Sequence, residues 1–394
     1  MIWLCLLLIP LGLAISLPAT FVARAMGRRL GALDGPGALG QIKEAPRNIP
    51  NTGGIGVYAA LAIPMVLIIA VTWLMGPQRL GEMLPALATH AEGLRQMTPL
   101  ALVVLVGMTV LHLIGVIDDR RPLRPGSKLA TMFAVATAVA LSFDTRLLTL
   151  LDKYPGGYWL SILVTVVWIV AVINALNLID NMDGLSGGVA CIAALCFLAA
   201  ALLQGQWFVA ASLALLVGAL LGFLVFNVPP ASVFLGDGGS LVIGFWLAFL
   251  TVRTTYVQSD ASDIASHPTS GAWYGVFMPI LVLAVPLYDT ASVMLLRWSQ
   301  GKPLMVGDLQ HVSHRLVRRG LSRRGAVLSL WGFTLVTGLA GVVLAHVPPW
   351  CAALIGAQTL VLLGVLGAIE FASDRHRRPD ELLTSPPASA RSSS

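Results

Sequence analysis

Apolar residues in this chain gather into long unbroken runs, too long for strands and too uniformly apolar for one-sided surface helices. About eleven runs approach the roughly 20 residues that a helix needs to cross a bilayer. They lie near 1–23, 54–75, 98–117, 128–144, 158–179, 187–203, 207–228, 238–253, 272–296, 326–346 and 350–372, the fourth and eighth being the weakest. The pattern predicts an all-α, polytopic membrane bundle with about eleven transmembrane helices. Residues 1–372 form one integral membrane domain, and 373–394, polar and rich in Ser and Pro, read as a disordered tail. The first run has no basic residue ahead of it and three arginines, Arg24, Arg28 and Arg29, behind it, so it reads as a retained anchor rather than a cleaved signal.

Composition agrees with the pattern: 57% of residues are hydrophobic and 11% charged, against roughly a quarter charged in soluble domains. The formal charge of +6 could point to nucleic acid, but its distribution points to membrane orientation instead. If the loops alternate sides, twenty of the 25 Lys and Arg fall on one side and five on the other. The positive-inside rule then puts the N-terminus outside and the C-terminus in the cytoplasm. No nucleic-acid partner is expected. The four cysteines all lie in apolar runs without metal-ligand spacing, which argues against a disulfide framework.

The same alternation gathers the polar chemistry on the cytoplasmic side. Asp118 and Asp119 end the third run and are followed by Arg120, Arg121, Arg124 and Lys128. Adjacent carboxylates repel unless a cation or proton intervenes, although a solvated helix end balanced by arginines would look similar. The stretch Asn174 to Gly188, NALNLIDNMDGLSGG, holds Asn174, Asn177, Asp180, Asn181 and Asp183, more oxygen ligands than one helix cap needs. At helical spacing Asn174, Asn177 and Asp180 would share a face suited to a hard cation. Gly236-Asp237-Gly238-Gly239-Ser240 precedes another apolar run and lets a ligand approach the backbone, but it is not a P-loop. Finally, His311, His314 and Arg315 lie ahead of Arg318, Arg319, Arg323 and Arg324. They fit diphosphate contact better than zinc, which lacks a third ligand at the usual spacing. His112 and His346, within or at the end of runs, read as packing or interfacial residues.

Taken in order, Pro50 to Gly54, DDRRPL with Lys128, NALNLIDNMDGLSGG, FLGDGGS and HVSHRL resemble the polyprenyl-phosphate N-acetylhexosamine-1-phosphate transferases, glycosyltransferase family 4. The run count and the HxxHRL loop are closer to the undecaprenyl-phosphate N-acetylglucosaminyl branch than to the phospho-N-acetylmuramoyl-pentapeptide branch. The chain departs from the family pattern at Pro122, where a third aspartate is usual, at Ser313, where a histidine is usual, and around Ala45. These departures bear on donor choice.

The resemblance implies a bundle of ten or eleven helices in the bacterial inner membrane with its active site on the cytoplasmic face. It implies that Asp237 and Asn177, helped by Asp180, hold Mg²⁺, with Mn²⁺ as the alternative. Asp118 and Asp119 would sit at the acceptor phosphate; Lys128, His311, His314 and Arg315 would contact phosphates; Asn174 and Asp183 would orient the nucleotide sugar. The expected partners are a UDP-sugar and a polyprenyl phosphate lipid, and the resemblance also raises a homodimer. The expected reaction is transfer of a sugar 1-phosphate to that lipid with release of UMP. A phospho-N-acetylmuramoyl-pentapeptide transferase-like activity is the neighbouring alternative. A secondary transporter is the alternative from another class, disfavoured by the lack of an internal repeat and by polar clusters at span ends rather than midplanes.

Overall fold

A computed structural model describes residues 1–35, 47–142, 145–256, 274–303, 307 and 309–371. The described residues are helical, apart from short connections and one isolated bridge between Leu33 and Pro50. The helices are α1 (Ile2–Leu6), α2 (Leu8–Arg29), α3 (Gly54–Met83), α4 (Ala91–Arg120), α5 (Pro125–Leu141), α6 (Gly157–Leu178) and α7 (Leu185–Leu203). They continue as α8 (Trp207–Asn227), α9 (Asp237–Tyr256), α10 (Tyr274–Val282), α11 (Ala284–Ser299), α12 (Val312–Arg318), α13 (Arg323–Val343) and α14 (Pro349–Phe371). By length and composition, eight spans among these residues can cross a membrane. The chain is a multi-pass membrane protein.

Three of the eleven runs, the fourth, the eighth and the ninth, are not among these eight; the eighth forms α9, which carries Asp237 in its first turn and Arg253 in its last. The fourth run forms α5, which is only 17 residues long. The ninth run divides at Leu283 into α10 and α11. Pro286 accounts for the break: it has no N–H for the Val282 carbonyl, and its ring would clash with that carbonyl if the helix were continuous. Pro10 stands in the same relation to Leu6, where α1 ends. The connection near 77–97 is itself largely helical, because α3 continues beyond a break at Gly76 and α4 begins at Ala91. The loop at 258–271, Lys43, Ala45, Asp308 and the tail expected at 373–394 lie outside the described residues.

The centre of the bundle is α9. Every residue from Gly238 to Val252 is buried, and the helix packs against α3, α4, α6, α7, α8 and α10. A helix that is apolar all round belongs in such an interior. Its first turn, Asp237-Gly238-Gly239-Ser240, is therefore delivered to one end of the bundle among the ends of its neighbours. Between helices in lipid there is little hydrophobic drive, so close approach of small residues matters. The α2–α8 contact shows this: a Cβ on Gly218 would lie 2.0 Å from the Ile9 carbonyl oxygen.

Candidate active site

The four segments singled out by sequence meet at one end of the bundle, three of them directly. From the first turn of α5, the Lys128 ammonium reaches Asp118 Oδ2 at 3.3 Å, Asn177 Oδ1 at 3.0 Å and the Asp237 carboxylate. Asn177, in the last turn of α6, uses its other edge to donate to Asp237 Oδ1 at 2.7 Å and to Ser240 Oγ at 2.9 Å. The side chains of Lys128, Asp118 and Asp237 keep 15%, 18% and 26% of their exposure, so a ligand can approach this group from outside.

Asp119 faces inward instead. Its carboxylate accepts from Asn51 Nδ2 at 2.7 Å, the Asp237 amide at 3.0 Å and the Gly238 amide at 3.2 Å. It therefore holds the glycine loop in place. Asp118 accepts the Leu123 amide at 2.6 Å, which ties down the α4–α5 connection. On the far side of the loop, His112 Nδ1 lies 2.8 Å from the Gly238 carbonyl oxygen, and its ring stacks on Tyr58 at 4.2 Å. The packing role read for His112 from sequence thus extends to a direct contact with the loop. A signal was present, since His112, Gly115 and Asp119 fall at i, i+3 and i+7 on one face of α4.

That face must stay close to the loop. A Cβ on Gly115 would lie 2.5 Å from the Asp237 carbonyl carbon and oxygen, both backbone atoms that cannot rotate away. Gly115→Ala is expected to displace Asp237 and cost about 1–3 kcal/mol of stability, with activity falling further than stability accounts for. Thermal unfolding and turnover measured on the same preparation check this.

The remaining candidates are placed as follows. Asn174 donates to the Val170 carbonyl of its own helix at 2.9 Å and to Met132 Sδ at 3.3 Å, one turn of α5 beyond Lys128. Asp180 is half-buried in the connection after α6. Asp183 pairs with Arg47 at 2.5 and 3.0 Å and accepts the Ala231 amide at 3.0 Å, while the Arg47 guanidinium lies over the Phe234 ring at 4.5 Å. Burial pushes the Asp183 carboxyl up, but the Arg47 guanidinium and the Ala231 amide outweigh this and hold it below the usual carboxylate range.

His311, His314 and Arg315, at the start of α12, are all buried. His311 Nδ1 lies 2.8 Å from Asp289 Oδ2, and Arg315 Nε donates to Glu370 Oε2 at 2.9 Å. Their link to the aspartate cluster runs through Ser313, whose hydroxyl lies 2.5 Å from Asn181 Oδ1. Ser313 thus fills the position where the family usually has a histidine, with a hydrogen bond to the NALNLIDNMDGL segment. Asn51, Arg47, Asp289 and Glu370 were not singled out by sequence reasoning.

Among the described residues no three His, Cys, Asp or Glu side chains converge as a cation site. What converges is two carboxylates and one amide oxygen around the Lys128 ammonium. This all-oxygen set already surrounds one positive centre, and it fits a hard divalent cation.

A sequence profile described as Glycosyl transferase family 4 matches residues 101–255, which include Asp118, Lys128, Asn177 and Asp237. The decaprenyl-phosphate N-acetylglucosaminephosphotransferase of Mycolicibacterium smegmatis (strain ATCC 700084 / mc(2)155) is 30% identical over 324 residues, spanning 75% of this chain and 72% of that protein. The chain belongs to glycosyl transferase family 4. Other relatives carry related names. The probable undecaprenyl-phosphate N-acetylglucosaminyl 1-phosphate transferase of Bacillus subtilis (strain 168) is 25% identical over 270 residues, 67% of this chain and 71% of that one. The undecaprenyl-phosphate alpha-N-acetylglucosaminyl 1-phosphate transferase of Escherichia coli (strain K12) is 27% identical over 337 residues, 83% and 78% of the two chains. In this family 4 member the matched segment carries the aspartate cluster, while Asn51 and the His311–Arg315 segment lie outside it.

Proposed function

We propose that the protein transfers N-acetylglucosamine 1-phosphate from UDP-N-acetylglucosamine to a polyprenyl phosphate, releasing UMP and starting a lipid-linked cell-envelope glycan. The observation that carries this reading is the meeting of Lys128, Asp118, Asn177 and Asp237 at one end of a membrane bundle. It is supported by the names of the relatives, which share a polyprenyl phosphate and an N-acetylglucosaminyl phosphate group. The site works on the cytoplasmic face of the bacterial inner membrane, where the water-soluble donor and the lipid phosphate meet. An acceptor of this kind leaves the bilayer at a cost of about 0.8 kcal/mol per CH₂, so the reaction is brought to the interface.

The acceptor phosphate oxygen attacks the donor phosphorus that carries the sugar. A new P–O bond forms as the bond to the UMP oxygen breaks, and UMP leaves with that bond's electrons. A phosphate monoester is largely dianionic at neutral pH, its second pKa being about 6, so the attack makes little demand for a base. Asp118, whose side chain is 18% exposed, positions the acceptor and takes any residual proton. Asp119, which accepts three hydrogen bonds inside the protein, fixes the loop instead. Lys128 offers charge to phosphate oxygens. Asp237 and Asn177 would hold a divalent cation, with Asp118 facing the same centre. When bound, Mg²⁺ supplies Lewis-acid stabilisation of charge on the phosphate oxygens.

The test uses purified protein in detergent with undecaprenyl phosphate, UDP-N-acetylglucosamine and Mg²⁺, resolving the nucleotide product. The expected result is UMP, dependent on the lipid, abolished by EDTA and restored by excess Mg²⁺. UDP as product would mean plain glycosyl transfer and would overturn the proposal, as would activity unaffected by EDTA.

A further inference from the structure

Asp289 is a buried acid within an otherwise apolar run, only 1% exposed, and it belongs to none of the motifs described above. A carboxylate buried without compensation is costly, so its partners explain its presence. One oxygen lies 2.8 Å from His311 Nδ1, and the other accepts the Val312 amide at 2.7 Å. One turn further along α11, Ser292 Oγ accepts from Arg315 at 2.6 Å. Positions 289 and 292 thus form one face of α11 that receives both His311 and Arg315 as α12 begins.

An ionised carboxylate only accepts hydrogen bonds, so the His311 nitrogen facing it is the one that carries a proton. This fixes the ring's orientation and leaves Nε2 as the nitrogen available to a ligand. In the charged ring Nε2–H is a donor suited to a phosphate oxygen. The Ser313–Asn181 hydrogen bond sets the same short helix beside the segment that carries Asn177.

We propose that Asp289 is a positioning residue for the transfer reaction, acting through His311: it presets the imidazole edge that meets a phosphate group of the substrates. This rests on the transferase reading above. A carboxylate behind a functional histidine is worth about 10–100-fold by comparison with metal-bound histidines backed in the same way. A purely structural anchor would lower stability without depending on whether His311 is present.

The experiment is a double-mutant cycle on the full chain, measuring lipid-dependent UMP release and thermal unfolding for wild type, Asp289→Ala, His311→Ala and the double variant. Asp289→Ala is expected to lower kcat/KM about 10–100-fold and to have little further effect once His311 is alanine. Losses that multiply in the double variant, or an Asp289→Ala protein with wild-type kcat/KM, would overturn the assignment. If Asp289→Ala does not fold, Asp289→Asn decides the matter through the same cycle, because it keeps the volume and offers one oxygen where two are used. A wild type that releases no UMP overturns the transferase reading and this inference with it; an active wild type with multiplying losses overturns the role of Asp289 alone.

Discussion

Asp237→Asn is expected to lower sugar 1-phosphate transfer by about 10²–10³-fold, the usual consequence of deleting one preorganised electrostatic contact to developing charge. The fold should survive the change. Asn has the same shape, Asp119 still accepts the backbone amides of positions 237 and 238, and Lys128 still has Asp118 and Asn177. The site itself does not survive. Asp237 faces two donors, the Lys128 ammonium and Asn177 Nδ2, and an amide meets at least one of them with its own NH₂. The substitution also removes the negative charge that, on the present reading, holds the divalent cation. Measured by UMP release at saturating Mg²⁺, the loss should persist as the metal concentration is raised if Asp237 also orients the substrates. It should be partly recovered if its work is metal affinity alone. Turnover within twofold of wild type would remove Asp237 from the site.

Much of this site was legible because lipid makes polar residues conspicuous. Asp118, Lys128, Asn177 and Asp237 stand at the ends of apolar runs, where charge is expensive, and alternation of the runs brings them to one side. The structure then joins them by direct hydrogen bonds. The inward set was harder to see. Asn51 precedes its run by three residues and resembles an ordinary turn residue, and only the fold brings it to Asp119, 68 positions away. Asp289 and Glu370 did carry a signal, since each is the single acid of its apolar run. Their partners, His311 and Arg315, lie 22 and 55 positions away in a segment that reads from sequence as diphosphate contacts, not as company for buried acids. What helical spacing does not report is the local bond that Asn174 makes, its amide NH₂ donating to the Val170 carbonyl one turn back. The helix breaks at Leu7 and Leu283 followed from Pro10 and Pro286, which a hydropathy pattern passes over as apolar residues.

Glu370→Ala is expected to be the most destabilising single change outside the aspartate cluster, by about 3–5 kcal/mol. The reason is the partner it strands. The Arg315 side chain is 6% exposed and that of Glu370 0%, with the two joined at 2.8 and 2.9 Å. Arg319 adds hydrogen bonds to the Glu370 backbone carbonyl, so the last turn of α14 is clasped by Arg315 of α12 and by Arg319 just past its end. Without the carboxylate, a guanidinium that cannot shed its proton stays in a site with little water, where Ser292 and the Gln310 carbonyl are neutral acceptors that do not balance its charge. Thermal unfolding in detergent checks the size of the loss. The double variant Arg315→Met, Glu370→Leu separates charge burial from loss of packing. Removing both charges should recover most of the stability, because a buried pair is replaced by apolar groups without a stranded ion. Activity should not recover with it, since Arg315 is then absent from the loop beside the site. If the double variant is as unstable as Glu370→Ala, the pair stabilises by its specific geometry. If it is both stable and active, the Arg315–Glu370 pair holds the last helix in place and has no part in transfer.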